Sequence, residues 1–301
     1  MEHNNHNYLS MAKFQEKCSW ELDLLTYGDE DGHLIIPNSD NIQHLQPFQV
    51  KKFWNPILVN YPDNLPNRIF CRTELLQSLE GILDQLKIDK YILYTGHSDI
   101  IIDDRFMSVL DNPRLIKMYS HSMQIEHPKL SYIPVGPRFQ NSNGLEAMDK
   151  LIHNPQPKVD SYYVRFSIGT NPSDRNKCLH YCDKPLSPRT SSYAEYLSEV
   201  QKHRFMLVPK GNNDRLLPDK IEAYVDNHQF WECLYLKTIP VVVESVLIKQ
   251  AQQFFPFVVL KDWSEFDPDM FTPELYDKLW AQYPNIENDL KFDYFFEHYC
   301  T

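Results

Sequence analysis

Arg204-Phe-Met-Leu-Val-Pro-Lys-Gly-Asn-Asn213, followed by His228-Gln-Phe-Trp-Glu-Cys-Leu-Tyr-Leu-Lys-Thr-Ile-Pro-Val-Val-Val243, decides the fold. The first segment reads as a buried strand ending in a cationic, Gly-containing loop. The second reads as a helix with one carboxylate near its start, then a second buried strand. A strand-end loop turns backbone N–H groups and a lysine toward phosphate oxygens, and the following helix offers its positive N-terminal end. Lys210, Gly211 and Asn212 are therefore expected to meet a diphosphate. Glu232 is expected to take ribose hydroxyls, with His228 at the start of its helix.

Outward from this stretch, short apolar runs alternate with helical ones. Ile57-Leu-Val-Asn60, Ile69-Phe-Cys-Arg72, Tyr91-Ile-Leu-Tyr94, Leu115-Ile-Lys-Met-Tyr119 and Tyr132-Ile-Pro-Val135 have strand length. Between them, Leu75, Leu79, Ile82, Leu83 and Leu86 keep one face of a helix apolar. A second series runs through Tyr162–Gly169, a helix over 192–202, Phe205–Val208, a helix near Phe230–Leu236, Ile239–Val243 and Phe257–Leu260. The alternation predicts an α/β fold with mostly parallel sheets, whose ligands sit at the C-terminal ends of strands. Gly169, Lys210 and Glu244 fall at such ends. The expected division is an acceptor-binding lobe over 1–150, a donor-binding lobe over 151–272, and a helical tail over 273–301 packing back on the first lobe. The polar first fifty residues read as a loosely packed arm, and 139–160 as a linker or a helix-bearing crossover.

The chain has 301 residues, enough for two cores, with 42% hydrophobic, 13% aromatic and 24% charged residues. Mean hydropathy is −0.50 and no long apolar run exists, so no membrane span is predicted. A net charge of −11 argues against a nucleic-acid partner, while a local cationic pocket still suits an anionic ligand. Six scattered cysteines follow no disulfide-framework spacing, and no apolar segment follows Met1-Glu-His-Asn-Asn; both point to a cytoplasmic setting.

The pattern Phe-x-Leu-x-Pro-Lys-Gly-Asn, then Phe-Trp-Glu-Cys-Leu-Tyr-Leu and Ile-Pro-Val-Val-Val, resembles the C-terminal half of exostosin-like glycosyltransferases. In these a Pro-Arg-Gly loop precedes a Trp-Glu helix and an Ile-Pro strand. Weaker echoes are Thr95-Gly-His-Ser-Asp99, His127-Pro-Lys with Ile133-Pro-Val-Gly136, and Phe166-Ser-Ile-Gly-Thr-Asn171 with Arg175, so the likeness covers roughly residues 90 to 262. Lys210 stands where the family favours Arg, Gln229 where a His-Arg pair is common, and Lys237-Thr238 where Gly-Cys is usual. The resemblance implies two Rossmann-like lobes of the B-type (GT-B) glycosyltransferase architecture. It also implies inverting transfer from a nucleotide-sugar donor, with uridine diphosphate expected, to a glycan acceptor.

Arg175, with Gly169 and Asn171, then joins the donor set, since a guanidinium fork suits a diphosphate. Asp99, alone or with His97, is the expected base for the acceptor hydroxyl, with Asp103-Asp104 a weaker rival. No metal or other cofactor is expected. Cys178-Leu-His-Tyr-Cys182 lacks a distant ligand pair, and Asp29-Glu-Asp31 and Asp267-Pro-Asp269 end no central strand. The other readings are a metal-dependent transferase of the A-type fold using one Asp-x-Asp pair, and a non-catalytic glycan-binding protein using its 18 Tyr and 5 Trp as stacking platforms. No P-loop or Gly-x-Gly-x-x-Gly fingerprint is present.

Overall fold

A computed structural model describes residues 7–18, 20–22, 27–28, 34–35, 54–56, 67–86, 88–138, 142–211 and 226–300. The chain divides into two compact units, one holding Met11–Pro134 and the other Met1–Ser10, Val135–Asn213 and Tyr224–Thr301.

The Met11–Pro134 unit holds helices α1 (Met11–Glu16), α2 (Leu79–Leu86) and α3 (Met107–Leu110). Its main strands are β1 (Trp20–Leu22), β4 (Trp54–Pro56), β5 (Asn67–Arg72), β6 (Tyr91–Gly96), β7 (Leu115–Ser120) and β8 (Leu130–Tyr132), and β2 (Tyr27–Gly28) pairs antiparallel with β3 (Leu34–Ile35). The six-stranded order is β4-β1-β5-β6-β7-β8; only the β4 edge is antiparallel. β6 is buried along its whole length, as a parallel strand covered on both faces must be. Leu75, Leu79 and Leu83 are buried as the helical period predicts, although residues 73–78 wind as a 3-10 turn ahead of α2.

The N-terminal region is not a loose arm where it is described. Trp20–Leu22 lies between β4 and β5 in the sheet, and α1 buries Met11 and Phe14. α1 seats against the end of β6 because Gly96 has no side chain: a Cβ there would stand 2.6 Å from the Met11 sulfur and 3.0 Å from the His121 ring. The expected strand over 57–60 lies outside the described residues.

The other unit is built on a four-stranded, all-parallel sheet of order β12-β11-β10-β9, formed by β9 (Val159–Val164), β10 (His203–Leu207), β11 (Ile239–Val243) and β12 (Val258–Leu260). Its helices are α4 (Ser142–His153), α5 (Pro172–Tyr181), α6 (Tyr193–Lys202), α7 (His228–Tyr235), α8 (Val246–Ala251), α9 (Pro273–Ala281), α10 (Ile286–Asp289) and α11 (Phe292–Tyr299). Tyr162, Val164, Phe205, Leu207, Val241 and Trp263 belong to its buried core. The stretch 139–160 is thus largely helix α4 rather than a linker, and the boundary falls at Pro134, ahead of the expected residue 150.

The tail also departs from expectation. Leu275, Tyr276 and Trp280 of α9 pack on the β9–β12 core, and Phe295 of α11 meets Phe254 and Phe255 at 5.4 and 5.9 Å between ring centres. The apolar face of the tail therefore belongs to the second unit instead of the first. The same unit takes the segment before Met11: Leu9 N–H donates to the Tyr235 hydroxyl at 2.8 Å, and Tyr8 bridges to Lys291. That approach fixes Gly136, whose φ is +79° and whose Cβ would lie 2.0 Å from the Leu9 carbonyl oxygen.

Candidate functional site

The turn after β10 is held from below by α5. Asn171 caps that helix, its side chain accepting from Asp174 N, and Pro172 opens it. Asp174 is buried and bridges two elements: Oδ2 accepts the Lys210 N–H at 2.8 Å and Oδ1 the Trp263 indole N–H at 3.0 Å. Arg175, 4% exposed, donates Nε and Nη2 to the Lys210 carbonyl at 3.1 and 3.0 Å and Nη1 to the Ser167 carbonyl, with its guanidinium over the Phe166 ring. The expectation that Arg175 faces a diphosphate is thereby corrected. Its forked donors are turned inward onto backbone carbonyls and tie the end of β9 to the end of β10.

The remaining donor-set residues divide similarly. Lys210 is half-buried at the turn, Gly211 is buried, and Asn212 lies outside the described residues. Asn171 is fully buried, and its Nδ2 has no hydrogen-bond partner among the described residues. Gly169 is exposed in a 3-10 turn, and nothing lies within 4 Å of where its Cβ would stand, so no steric demand requires glycine there. His228, exposed at the first turn of α7, directs Nδ1 to the Gly136 carbonyl at 2.6 Å. A carbonyl only accepts, so Nδ1 carries a proton. α7 is capped by Asn227, whose Oδ1 takes the Gln229 N–H at 3.0 Å while Nδ2 donates to the Pro209 carbonyl at 3.2 Å.

Glu232 is not open to a ribose. Only 2% exposed, it accepts the Tyr193 hydroxyl on Oε1 at 2.7 Å and the Tyr196 hydroxyl on Oε2 at 2.9 Å. The two tyrosines stand three residues apart on α6 and so share the face that meets α7. Burial, and then the Glu232 charge, push both phenols above their ordinary pKa. Gln229 continues the chain, with Nε2 donating to the Arg165 carbonyl at 2.8 Å and to the Tyr196 hydroxyl at 3.1 Å.

In front of this network, at the C-terminal end of β9, lies a cavity of about 360 Å³ lined by Arg165, Ser167, Arg189, Tyr193, Tyr196 and Gln229 among others. Among the described residues no carboxylate lines it. Arg165 gives one bond to the Ser187 carbonyl at 3.2 Å, and Arg189 is exposed with no hydrogen bond or ion pair among the described residues. The nearest acid in sequence, Glu195, is turned onto Ser191, accepting its N–H and hydroxyl at 2.6 Å each, which holds the carboxyl below its usual pKa. Two guanidiniums, hydroxyls and two phenols in one concave site can bind an anionic, polar ligand.

The expected donor loop follows β10, whereas this cavity opens one strand away, at the end of β9, and Arg165 and Arg189 were not among the expected site residues. A signal did exist: Arg165 directly follows the apolar end of β9, the strand-end position at which parallel sheets bind ligands.

In the Met11–Pro134 unit, His97 follows β6 in the left-handed region, with φ +54°. Its Nε2 meets Gln15 Oε1 at 2.9 Å and its ring stands edge-on to Phe70 at 5.3 Å. Asp99 is half-buried two residues on, whereas Asp103 is a structural cap, its Oδ1 accepting from Arg105 N and Nε at 3.0 and 2.7 Å. His97 and Asp99 belong to one unit and the donor candidates to the other.

Among the described residues no group of three or more His, Cys, Asp or Glu is arranged to hold a metal ion, and none of the six cysteines is in a disulfide. Asp267 caps a 3-10 turn through Asp269 N, and Asp29–Asp31 lie outside the described residues. Among the described residues, no helix is long and apolar enough to cross a membrane. No protein-family model matches the chain, and no curated protein matches it.

Proposed function

We propose that this chain is a glycosyltransferase of the two-lobed B-type architecture, moving a sugar from a nucleoside-diphosphate donor to a glycan hydroxyl with inversion. One observation carries the reading: a cavity lined, among the described residues, by two arginines and no carboxylate, at the C-terminal edge of a parallel sheet, in a chain of net charge −11. Arg165 and Arg189 would counter the charge that grows on the departing diphosphate, the role fixed cations serve in phosphate-leaving reactions. The acceptor and its base, Asp99 with His97, are assigned to the Met11–Pro134 unit. Uridine is the expected base of the donor, as the exostosin-like motifs imply.

Thermal-shift measurements on the full chain test this against uridine diphosphate, a panel of its sugar conjugates, and oligosaccharides alone. A ligand at one hundred times its Kd adds about 2.7 kcal/mol of stability, which raises Tm by several degrees. The rise is expected with nucleotide ligands and is expected to disappear in Arg165→Ala/Arg189→Ala. A rise with oligosaccharides and none with any nucleotide would overturn the proposal in favour of a glycan-binding protein.

A further inference from the structure

The cavity wall has a fixed hydrogen-bond polarity. A tyrosine hydroxyl carries one proton, and that of Tyr193 is directed to Glu232 Oε1 at 2.7 Å, so toward a ligand its oxygen can only accept. A glutamine amide carries two protons on Nε2, and in Gln229 both are committed, to the Arg165 carbonyl and the Tyr196 hydroxyl. Its Oε1 is left as an acceptor. Tyr196 gives its own proton to Glu232 Oε2 and receives one from Gln229. Gln229, Tyr196, Glu232 and Tyr193 thus form one chain in which every side-chain proton is committed to a protein acceptor, while the guanidiniums of Arg165 and Arg189 on the same cavity offer donors only.

We infer that Glu232 is a positioning residue which, through Tyr193 and Tyr196, locks this wall as an acceptor pair. The cavity therefore selects ligands that place O–H or N–H donors next to an anionic group. This rests on the nucleoside-diphosphate reading, and within it the ribose hydroxyls meet Tyr193 Oη and Gln229 Oε1 while the diphosphate meets the arginines. Glu232 contributes without touching the ligand. Burial and the neighbouring carboxylate hold the tyrosine protons in place well above neutral pH.

The test compares the full chain with Tyr193→Phe and Glu232→Gln, using uridine diphosphate, its 2′-deoxy and 3′-deoxy analogues, and inorganic pyrophosphate as probes in titration calorimetry. Glu232→Gln places an amide N–H₂ among the phenols and forces one phenol proton to turn outward. The expected result is at least a tenfold loss of uridine diphosphate affinity in both variants, with pyrophosphate affinity held within twofold. In wild type, removal of one ribose hydroxyl is expected to cost tenfold, and Tyr193→Phe to add little to that loss. A merely structural role would weaken all four probes together, and that outcome, or an unchanged ratio of uridine diphosphate to pyrophosphate binding, overturns the inference. Absence of uridine diphosphate and pyrophosphate binding in wild type sinks the proposed function as well, which separates the two failures. Should Glu232→Gln fail to fold, Tyr193→Phe decides alone through the same ratio.

Discussion

Asp174→Ala is expected to cost about 4 kcal/mol of stability, a figure that follows from the two bonds its carboxylate makes. Oδ1 takes the indole N–H of Trp263, which is 1% exposed and has no route to water. Oδ2 takes the backbone N–H of Lys210. A hydrogen bond to a charged group contributes roughly 1.5–3 kcal/mol, so two lost together would cost about 3–6 kcal/mol. Lys210 is half-buried, and water can recover part of its share, which places the expectation in the lower half of that range. For a unit of this size each kcal/mol moves Tm by about 2–4 °C, giving a drop of about 8–16 °C. Tryptophan fluorescence and circular dichroism, followed together through a thermal and a urea transition, measure it. Asp174→Asn keeps an acceptor for the indole and should recover about half of the loss. An Asp174→Ala protein melting within about 2 °C of wild type would refute the idea that this carboxylate holds the turn after β10.

Lys237→Gly should stabilise the chain by about 0.5–1 kcal/mol in urea titration: Lys237 follows α7 at φ +54°, and Thr238 N bonds back to Cys233 O at 2.8 Å and Lys237 N to Leu234 O at 3.1 Å, the helix-ending turn that glycine fits best. Lys158 donates to the His203 and Leu236 carbonyls and the Thr238 hydroxyl, and burial pulls its pKa from 10.5 to about 7. Between those values the unfolded chain keeps a proton that the folded chain has released. Stability therefore rises with pH by up to about 1.4 kcal/mol per unit from pH 7.5 to 9.5, and Lys158→Met should flatten that slope in paired denaturation curves.

The strands were legible where apolar runs are long. Tyr91–Tyr94 and Ile239–Val243 could only be buried, and they are. Trp20–Leu22 was not legible, because three residues between polar stretches carry no period of their own and become a strand only by pairing with β4 and β5. The helix over 142–153 was legible only as one of two options for 139–160, because its start contains Asn and Gly. At the site, β10, the helix α7 and β11 fall where the sequence placed them, while the side chains of Arg175 and Glu232 turn inward. Sequence shows that Arg175 and Glu232 are charged and close to strand ends. Whether each turns outward to a ligand or inward to backbone and tyrosine is set by contacts with Ser167, Lys210, Tyr193 and Tyr196, which spacing does not reveal. The Lys237 departure is the converse case: the residue differs from the glycine usual in exostosin-like sequences, yet the backbone keeps the glycine-like conformation.

How an acidic chain keeps a cationic cavity is answered by where its carboxylates find protons. Asp174 is satisfied by an indole and a backbone amide, Glu232 by two phenols, and Glu195 by the amide and hydroxyl of Ser191. Asp226, buried like Asp174 and Glu232, accepts from Trp231 Nε1 and the Val135 and Asn227 amides. In each of these bonds the donor is neutral. Had Arg165 and Arg189 both been used instead, the carboxylates would be equally satisfied and the cavity would carry no net charge. Neutral donors stabilise the acids while leaving guanidinium charge on the rim, where a low-dielectric wall on one side strengthens its pull on an anion. The tyrosines of α6 therefore do two things with one bond each: they satisfy Glu232 with neutral donors, and they fix the direction in which the wall accepts hydrogen bonds. Replacing both by phenylalanine removes both effects and leaves Glu232 without its tyrosine donors.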